Sequence, residues 1–112
     1  MNRGELYWVD LDPSKGSEQT KIRPAVVVQT DHINATSPVT VIVPTTTKST
    51  DEYRSEVFLP ASSEPVRDDS VAQTNQIRVV SVQHRCEDKM GEISQRKMRE
   101  IERALQFTLG ML

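Results

Sequence analysis

Short apolar and β-branched runs, each closed by proline or polar turn residues, fill most of this chain, and a helical period replaces them near its end. Leu6-Tyr7-Trp8-Val9-Asp10-Leu11 mixes aromatic and β-branched residues before Asp12-Pro13, which predicts a strand followed by a turn. Leu6 and Trp8 then share one face, and Tyr7, Val9 and Leu11 the other. Asp12 to Ile22 is polar almost throughout and predicts a loop of about ten residues. In Arg23-Pro24-Ala25-Val26-Val27-Val28 the proline fixes its own φ and pushes Arg23 toward an extended backbone, and the valines read as a core strand.

Asp31 to Pro38 is turn-like, with Asn34, Ser37 and Pro38 as breakers. Val39-Thr40-Val41-Ile42-Val43 is the next strand, closed by Pro44 and followed by the hydroxyl block Thr45-Thr46-Thr47-Lys48-Ser49-Thr50. Glu56 to Pro60 is a short strand, Ala61 to Asp69 a loop, and Ser70–Thr74 with Gln76–Val82 one or two further strands. Ser94 is a fitting N-cap for a final helix, in which Met98, Ile101, Ala104, Leu105, Thr108 and Leu109 recur at helical spacing and Gly110 marks the stop. Short strands followed by one helix predict a mainly β domain, a small, strongly bent antiparallel sheet or half-barrel covered on one side.

Composition narrows the chemistry. At 112 residues the chain fits one domain, 1–112, and its 36% apolar and 27% charged content suits a soluble protein with a modest core. No run is long enough for a membrane helix and the N-terminus lacks the apolar core of a signal peptide, so the expected location is cytoplasmic. A single cysteine, Cys86, excludes an internal disulfide, and with only His32 and His84 beside it no zinc-ligand spacing exists. Asp51-Glu52, Asp68-Asp69 and Glu87-Asp88 read as solvated pairs in loops, so no metal site and no cofactor are expected.

The net charge of −2 argues against a duplex-DNA binder and leaves room for a short nucleic-acid substrate. Lys15, Lys21 and Arg23 flank one loop and Lys48 and Arg54 lie in another, enough for a local cationic groove if the loops converge. A restricted Arg at a strand mouth suits a phosphate, because its planar fork of donors stays charged at any working pH. Asn75 and Gln76, at the join of two strands, carry amides that can read base edges or close a bulge.

Together these residues resemble the MazF/PemK/Kid family of toxin endoribonucleases. The resemblance rests on Arg3 to Pro13, Gly16-Ser17-Glu18-Gln19, Arg23 to Val28, Val43-Pro44-Thr45-Thr46, Asp69-Ser70-Val71, Gln76-Ile77-Arg78 and the helix, in the family's order over nearly the whole chain. It implies an SH3-like barrel with a C-terminal helix, a homodimer with its groove across the subunit boundary, and metal-independent cleavage of single-stranded RNA. A labile cognate antitoxin would occupy that groove. The implied catalytic residues are Arg23 and Thr46, with Thr47 the alternative hydroxyl and Glu18 the candidate base. Lys15, Ser17, Gln19, Lys21, Thr47, Lys48, Asn75, Gln76 and Arg78 are the expected RNA contacts. Asn75 departs from the pattern, since many relatives carry Asp or Glu there. With aromatics at 4%, amide and backbone contacts should dominate recognition, with residues 12–22 as a mobile loop. The competing reading is a non-catalytic binding module on the same fold, as the fold-related gyrase poison CcdB is.

Overall fold

The computed structural model describes residues 1–18, 21–47 and 53–112. Strand β1 (Glu5–Asp10) pairs antiparallel with β2 (Ile22–Val27), and β2 with β3 (Val39–Thr46). On its far edge β3 pairs first with β6 (Arg78–Ser81) and then with β5 (Ser70–Gln73), to which β4 (Glu56–Leu59) adds. Strand β7 (Cys86–Glu92) borders β1 on the other side. The order β4-β5-β3-β2-β1-β7, with β6 beside β3, leaves the seven-stranded sheet unclosed.

Several local readings change. Residues 31–38 do not simply turn: α1 (Asp31–Asn34) makes one helical turn because Thr30 accepts the His32 N–H at its N-cap. β3 does not stop at Pro44. Val28 N–H donates to Val41 O at 2.9 Å, so the odd-numbered residues of β3 turn their backbone groups to β2, and the missing N–H of Pro44 falls on the opposite edge. There it costs no ladder bond, because β6 ends at the Ile42–Arg78 pair and β5 begins at Thr45–Ala72. The expected strand Gln76–Val82 is shorter: a 3₁₀ turn, Thr74–Gln76, bridges that gap, and α2 (Val82–Arg85), capped by Ser81, follows β6.

Strand β7 had no counterpart in the expected elements, since Glu87-Asp88-Lys89 carries no apolar alternation. Both carboxylates therefore lie on an exposed edge strand and not in a loop. Register shifts at Leu6/Tyr7 and Tyr7/Val9 bulge its pairing with β1. Gly91, at φ 154°, sits where an added Cβ would come within 2.6 Å of Pro65 Cβ, so only glycine lets the two chains approach there.

The final helix forms as its spacing predicts. α3 spans Gln95–Thr108, and Ser94 Oγ accepts the Lys97 N–H. The Ser94 N–H in turn donates to the buried carboxylate of Glu64 at 2.9 Å. Gly110, at φ 72°, ends the helix, with Met111 N–H reaching back to Gln106 O at 2.7 Å. Met98, Ile101 and Ala104 join Leu6, Val26, Val43, Val57, Leu59 and Ala72 in the larger core cluster. Residues of opposite parity on β1 to β3, namely Val9, Ala25, Val27 and Ile42, build a second cluster with Leu11 and Val80. Tyr7, Met1 and Cys86 pack against this second cluster, and no residue of α3 enters it.

Candidate active site

The strand register directs Arg23 and Thr46 to the same face. Ala25 lies opposite Pro44, and the same count carried two residues further sets Arg23 across from Thr46. Directly opposed residues of an antiparallel pair project from one face, here the face of the second core cluster. Both side chains are half-buried. The ladder itself ends at Ala25–Pro44 because Pro24 has no N–H; the hydroxyl of Thr45 donates instead to Pro24 O at 2.8 Å and holds the strand ends together. That bond separates the three threonines. Thr45 is buried and structural, Thr46 shares the Arg23 face, and Thr47 is exposed beyond the end of β3.

Arg78 joins the same face from the other edge of β3, since it pairs with Ile42, which shares parity with Thr46. Four residues separate Ile42 from Thr46, a span of about 13 Å along the strand. Arg78 Nη1 donates to Leu11 O at 3.1 Å, and Gln76 Nε2 donates to Ser17 O at 3.2 Å. These two bonds bring the loop after β1 down to the β5–β6 junction. Between them lies a groove of about 340 Å³ lined by Glu18, Asn75, Gln76, Ile77 and Arg78.

Within the loop, Glu18 Oε1 accepts the Lys15 N–H at 2.7 Å and the Glu18 N–H returns to Lys15 O at 3.2 Å. Lys21 takes a positive φ of 68°, with its N–H on Asp12 Oδ1 at 2.9 Å and its carbonyl accepting the Leu11 N–H at 2.9 Å. Lys15, Ser17 and Lys21 are exposed around this turn. Gln19 and Lys48 lie outside the described residues. Structure thus gathers Glu18, Asn75, Gln76 and Arg78 around one groove and Arg23 with Thr46 on the sheet face that Arg78 shares.

Sequence reasoning missed Arg85. From α2 its Nη1 donates to Asp10 O at 3.1 Å and to Asp12 O, clamping the exit of β1 where the loop begins. Its partners are backbone carbonyls more than seventy positions away, which leave no pattern in composition or spacing. A second groove, of about 350 Å³, is lined by Arg3, Gly4 and Glu92 and by Met98, Arg99 and Glu102 of α3, with Arg3 and Glu102 ion-paired at 2.9 Å, and none of the candidate residues lines it.

Marked titration shifts occur along β1 and β7. At the start of β1, burial pushes the Glu5 carboxyl up, but the Lys89 ammonium at 2.6 Å, the Asn2 N–H and the Tyr7 hydroxyl outweigh it and hold its pKa below the usual value. Lys89 is raised in return, chiefly by its hydrogen bond to Glu5. Burial also raises the Cys86 thiol, so it is a packing residue and not a poised nucleophile. Among the described residues no group of three His, Cys, Asp or Glu side chains gathers to hold a metal.

A family model described as PemK-like, MazF-like toxin of type II toxin-antitoxin system matches residues 2–109. The chain belongs to this family. The endoribonuclease MazF9 of Mycobacterium tuberculosis is 36% identical over 116 residues, covering 99% of this chain and 98% of that protein. The endoribonuclease MazF of Staphylococcus saprophyticus is 37% identical over 113 residues, covering 99% and 92%. Among solved structures, MazF of Deinococcus radiodurans superimposes with a TM-score of 0.86 at 26% identity, over 99% of this chain and 97% of that one. The resemblance read from the motifs is therefore borne out, as are the mainly β fold with its C-terminal helix and the endoribonuclease class of the relatives. No helix among the described residues is long and apolar enough to cross a membrane.

Proposed function

We propose that this MazF-type toxin cleaves single-stranded RNA at short sequences, without a metal, by attack of a ribose 2′-hydroxyl on the adjacent phosphorus. The bond from phosphorus to the 5′-oxygen breaks. The 2′-hydroxyl proton passes to a base, the 5′-oxygen gains a proton, and the ends are a 2′,3′-cyclic phosphate and a 5′-hydroxyl. Because RNA carries its own nucleophile, holding the 2′-oxygen, phosphorus and leaving oxygen in line does much of the catalysis. Arg23 and the Thr46 hydroxyl donate to the non-bridging oxygens as their charge grows, and Arg23 is also the donor that protonates the leaving 5′-oxygen. Glu18 is the candidate base: the Lys15 N–H anchors its carboxylate, which lines the groove with Asn75 and Arg78.

Support for this reading comes above all from the β2–β3 register, which, continued past Ala25–Pro44, sets Arg23 across from Thr46 on the sheet face that Arg78 shares. Asn75, an amide where the resemblance implies that many members of the family carry a carboxylate, serves recognition and not proton transfer. Gln76 and Arg78 spend donors on loop carbonyls and so shape the groove as well as face it. Lys15, Lys21 and Lys48 supply local cations on a chain of net charge −2, with Ser17, Gln19 and Thr47 as further contacts. The protein works as a cytoplasmic homodimer, and a cognate antitoxin fills the groove when the toxin is restrained. A solved mycobacterial endoribonuclease bound to its cognate antitoxin shares the fold, with a TM-score of 0.83.

Incubating the purified protein with a long transcript in EDTA tests the chemistry. Wild type should cut to 5′-hydroxyl ends, and Arg23→Ala should lose about a hundred- to a thousandfold in rate with its melting temperature intact. Cutting that is indifferent to Arg23→Ala removes the site assignment, and no cutting of any RNA returns the chain to a binding module.

A further inference from the structure

Four of the five aromatic side chains are engaged inside the molecule. Tyr7 donates its hydroxyl to Glu5 at 3.0 Å, and cations lie over the other rings: Arg67 at 5.4 Å from Trp8, Lys97 at 6.0 Å from Phe58 and Arg54 at 4.1 Å from Phe107. Tyr53 differs. It is 63% exposed, and among the described residues neither its ring nor its hydroxyl has a partner.

The backbone beneath it is nevertheless tied down. Glu56 N–H donates to Tyr53 O at 3.0 Å, and Ser55 O accepts both the Thr74 N–H at 2.9 Å and the Thr74 hydroxyl at 2.6 Å. The ring is thus held out from a fixed base beside the 3₁₀ turn that carries Asn75. A groove of about 190 Å³, large enough for one nucleobase, lies there, lined by Tyr53, Ser55, Glu56, Gln73 and Asn75. Asn75 also lines the Glu18–Arg78 groove, so the two grooves meet at its side chain.

We propose that the Tyr53 groove is a nucleobase subsite: the base flanking the cut on the Asn75 side stacks on Tyr53 while the Asn75 amide reads its edge. The inference rests on the reading of the chain as a single-strand endoribonuclease. An exposed ring on a rigid base suits this task, because splayed bases of single-stranded RNA are held by stacking and read by amides. It also qualifies the expectation that amide and backbone contacts dominate recognition, since an exposed aromatic lines a groove with Asn75.

A random-sequence RNA pool cut in EDTA by wild type, Tyr53→Phe and Tyr53→Ala, with the new ends sequenced, tests the subsite. Kinetics on the most-cut sequence complete the test. Tyr53→Phe keeps the ring and should match wild type in rate and preference. Tyr53→Ala should lose about ten- to a hundredfold in kcat/KM, mainly through KM, and flatten the preference at one position beside the cut. Its melting temperature should not move, because the ring is largely exposed and has no hydrogen-bond or cation partner among the described residues. A Tyr53→Ala protein that cuts the pool with wild-type rate and preference overturns the subsite and gives this ring to a protein partner. Wild type that cuts nothing removes the parent reading, and the subsite with it.

Discussion

The two faces of the sheet are closed by different means. On one, α3 lays Met98, Ile101 and Ala104 on strand residues such as Leu6, Val26 and Val43, a seal of apolar area with no direction to it. On the other, the second cluster runs out toward Arg23, Thr46 and Arg78, and the loop above is held by side chains donating to its carbonyls. Apolar contact tolerates small shifts of the groups that make it. Hydrogen bonds to named carbonyls fix a loop to within the tolerance of the bond, and a phosphate-positioning site needs that.

The helix-covered face should give the largest response. Ile101→Ala removes a fully buried side chain and is expected to cost about 2–5 kcal/mol, read as a lower denaturant midpoint with the slope unchanged. RNA cleavage measured well below the new midpoint should stay near wild type, since Ile101 belongs to the core cluster on the other face of the sheet. If cleavage falls as steeply as stability, the two faces are not separate.

A smaller effect is expected at the end of β1 away from Arg23. Glu5→Gln breaks the ion pair with Lys89 at 2.6 Å and should cost about 1–3 kcal/mol. Because the Glu5 pKa is lower in the folded chain than its ordinary 4.5, the stability it adds is complete above that value and is lost as pH falls through the lowered one. Urea melts from pH 7 downward should therefore converge for wild type and Glu5→Gln in acid, and a constant gap would show that the carboxylate's charge is not what matters.

The loop clamp should give the smallest change in stability and a distinct change in activity. Lys in place of Arg85 keeps the charge but carries it on a shorter side chain with a tetrahedral ammonium, which does not reproduce the reach of Nη1 to both carbonyls. Arg85→Lys is expected to lower kcat/KM by about tenfold, the value of roughly one charge-assisted hydrogen bond, with faster amide exchange around residues 11–18. Unchanged exchange there would show that the loop is held without it.

How far sequence reaches differs between the same two faces. The α3 stripe, its Ser94 cap and its Gly110 stop were legible, because a helix writes its contacts into neighbouring turns. Leu6 and Val9 fell on opposite faces as their alternation predicts. Strand β7 escaped because an edge strand of charged residues has no alternation to detect. Pro44 misled for a physical reason: a proline ends a strand only where its N–H is needed, and β3 turns that position to a gap between two partners.

At the site, Arg23, Thr46 and Glu18 were found through motif resemblance, and no spacing within the chain relates them. What the sequence determined alone is local: where the final helix and most of the strands form, and which side chains point together along one element. Tertiary structure decided which strand ends face each other, which threonine shares the Arg23 side, that Arg85 clamps a loop far back in the chain, and that Tyr53 stands beside Asn75. Those are relations between segments distant in sequence. Register and packing across the sheet create them, and no local pattern of residues can encode them.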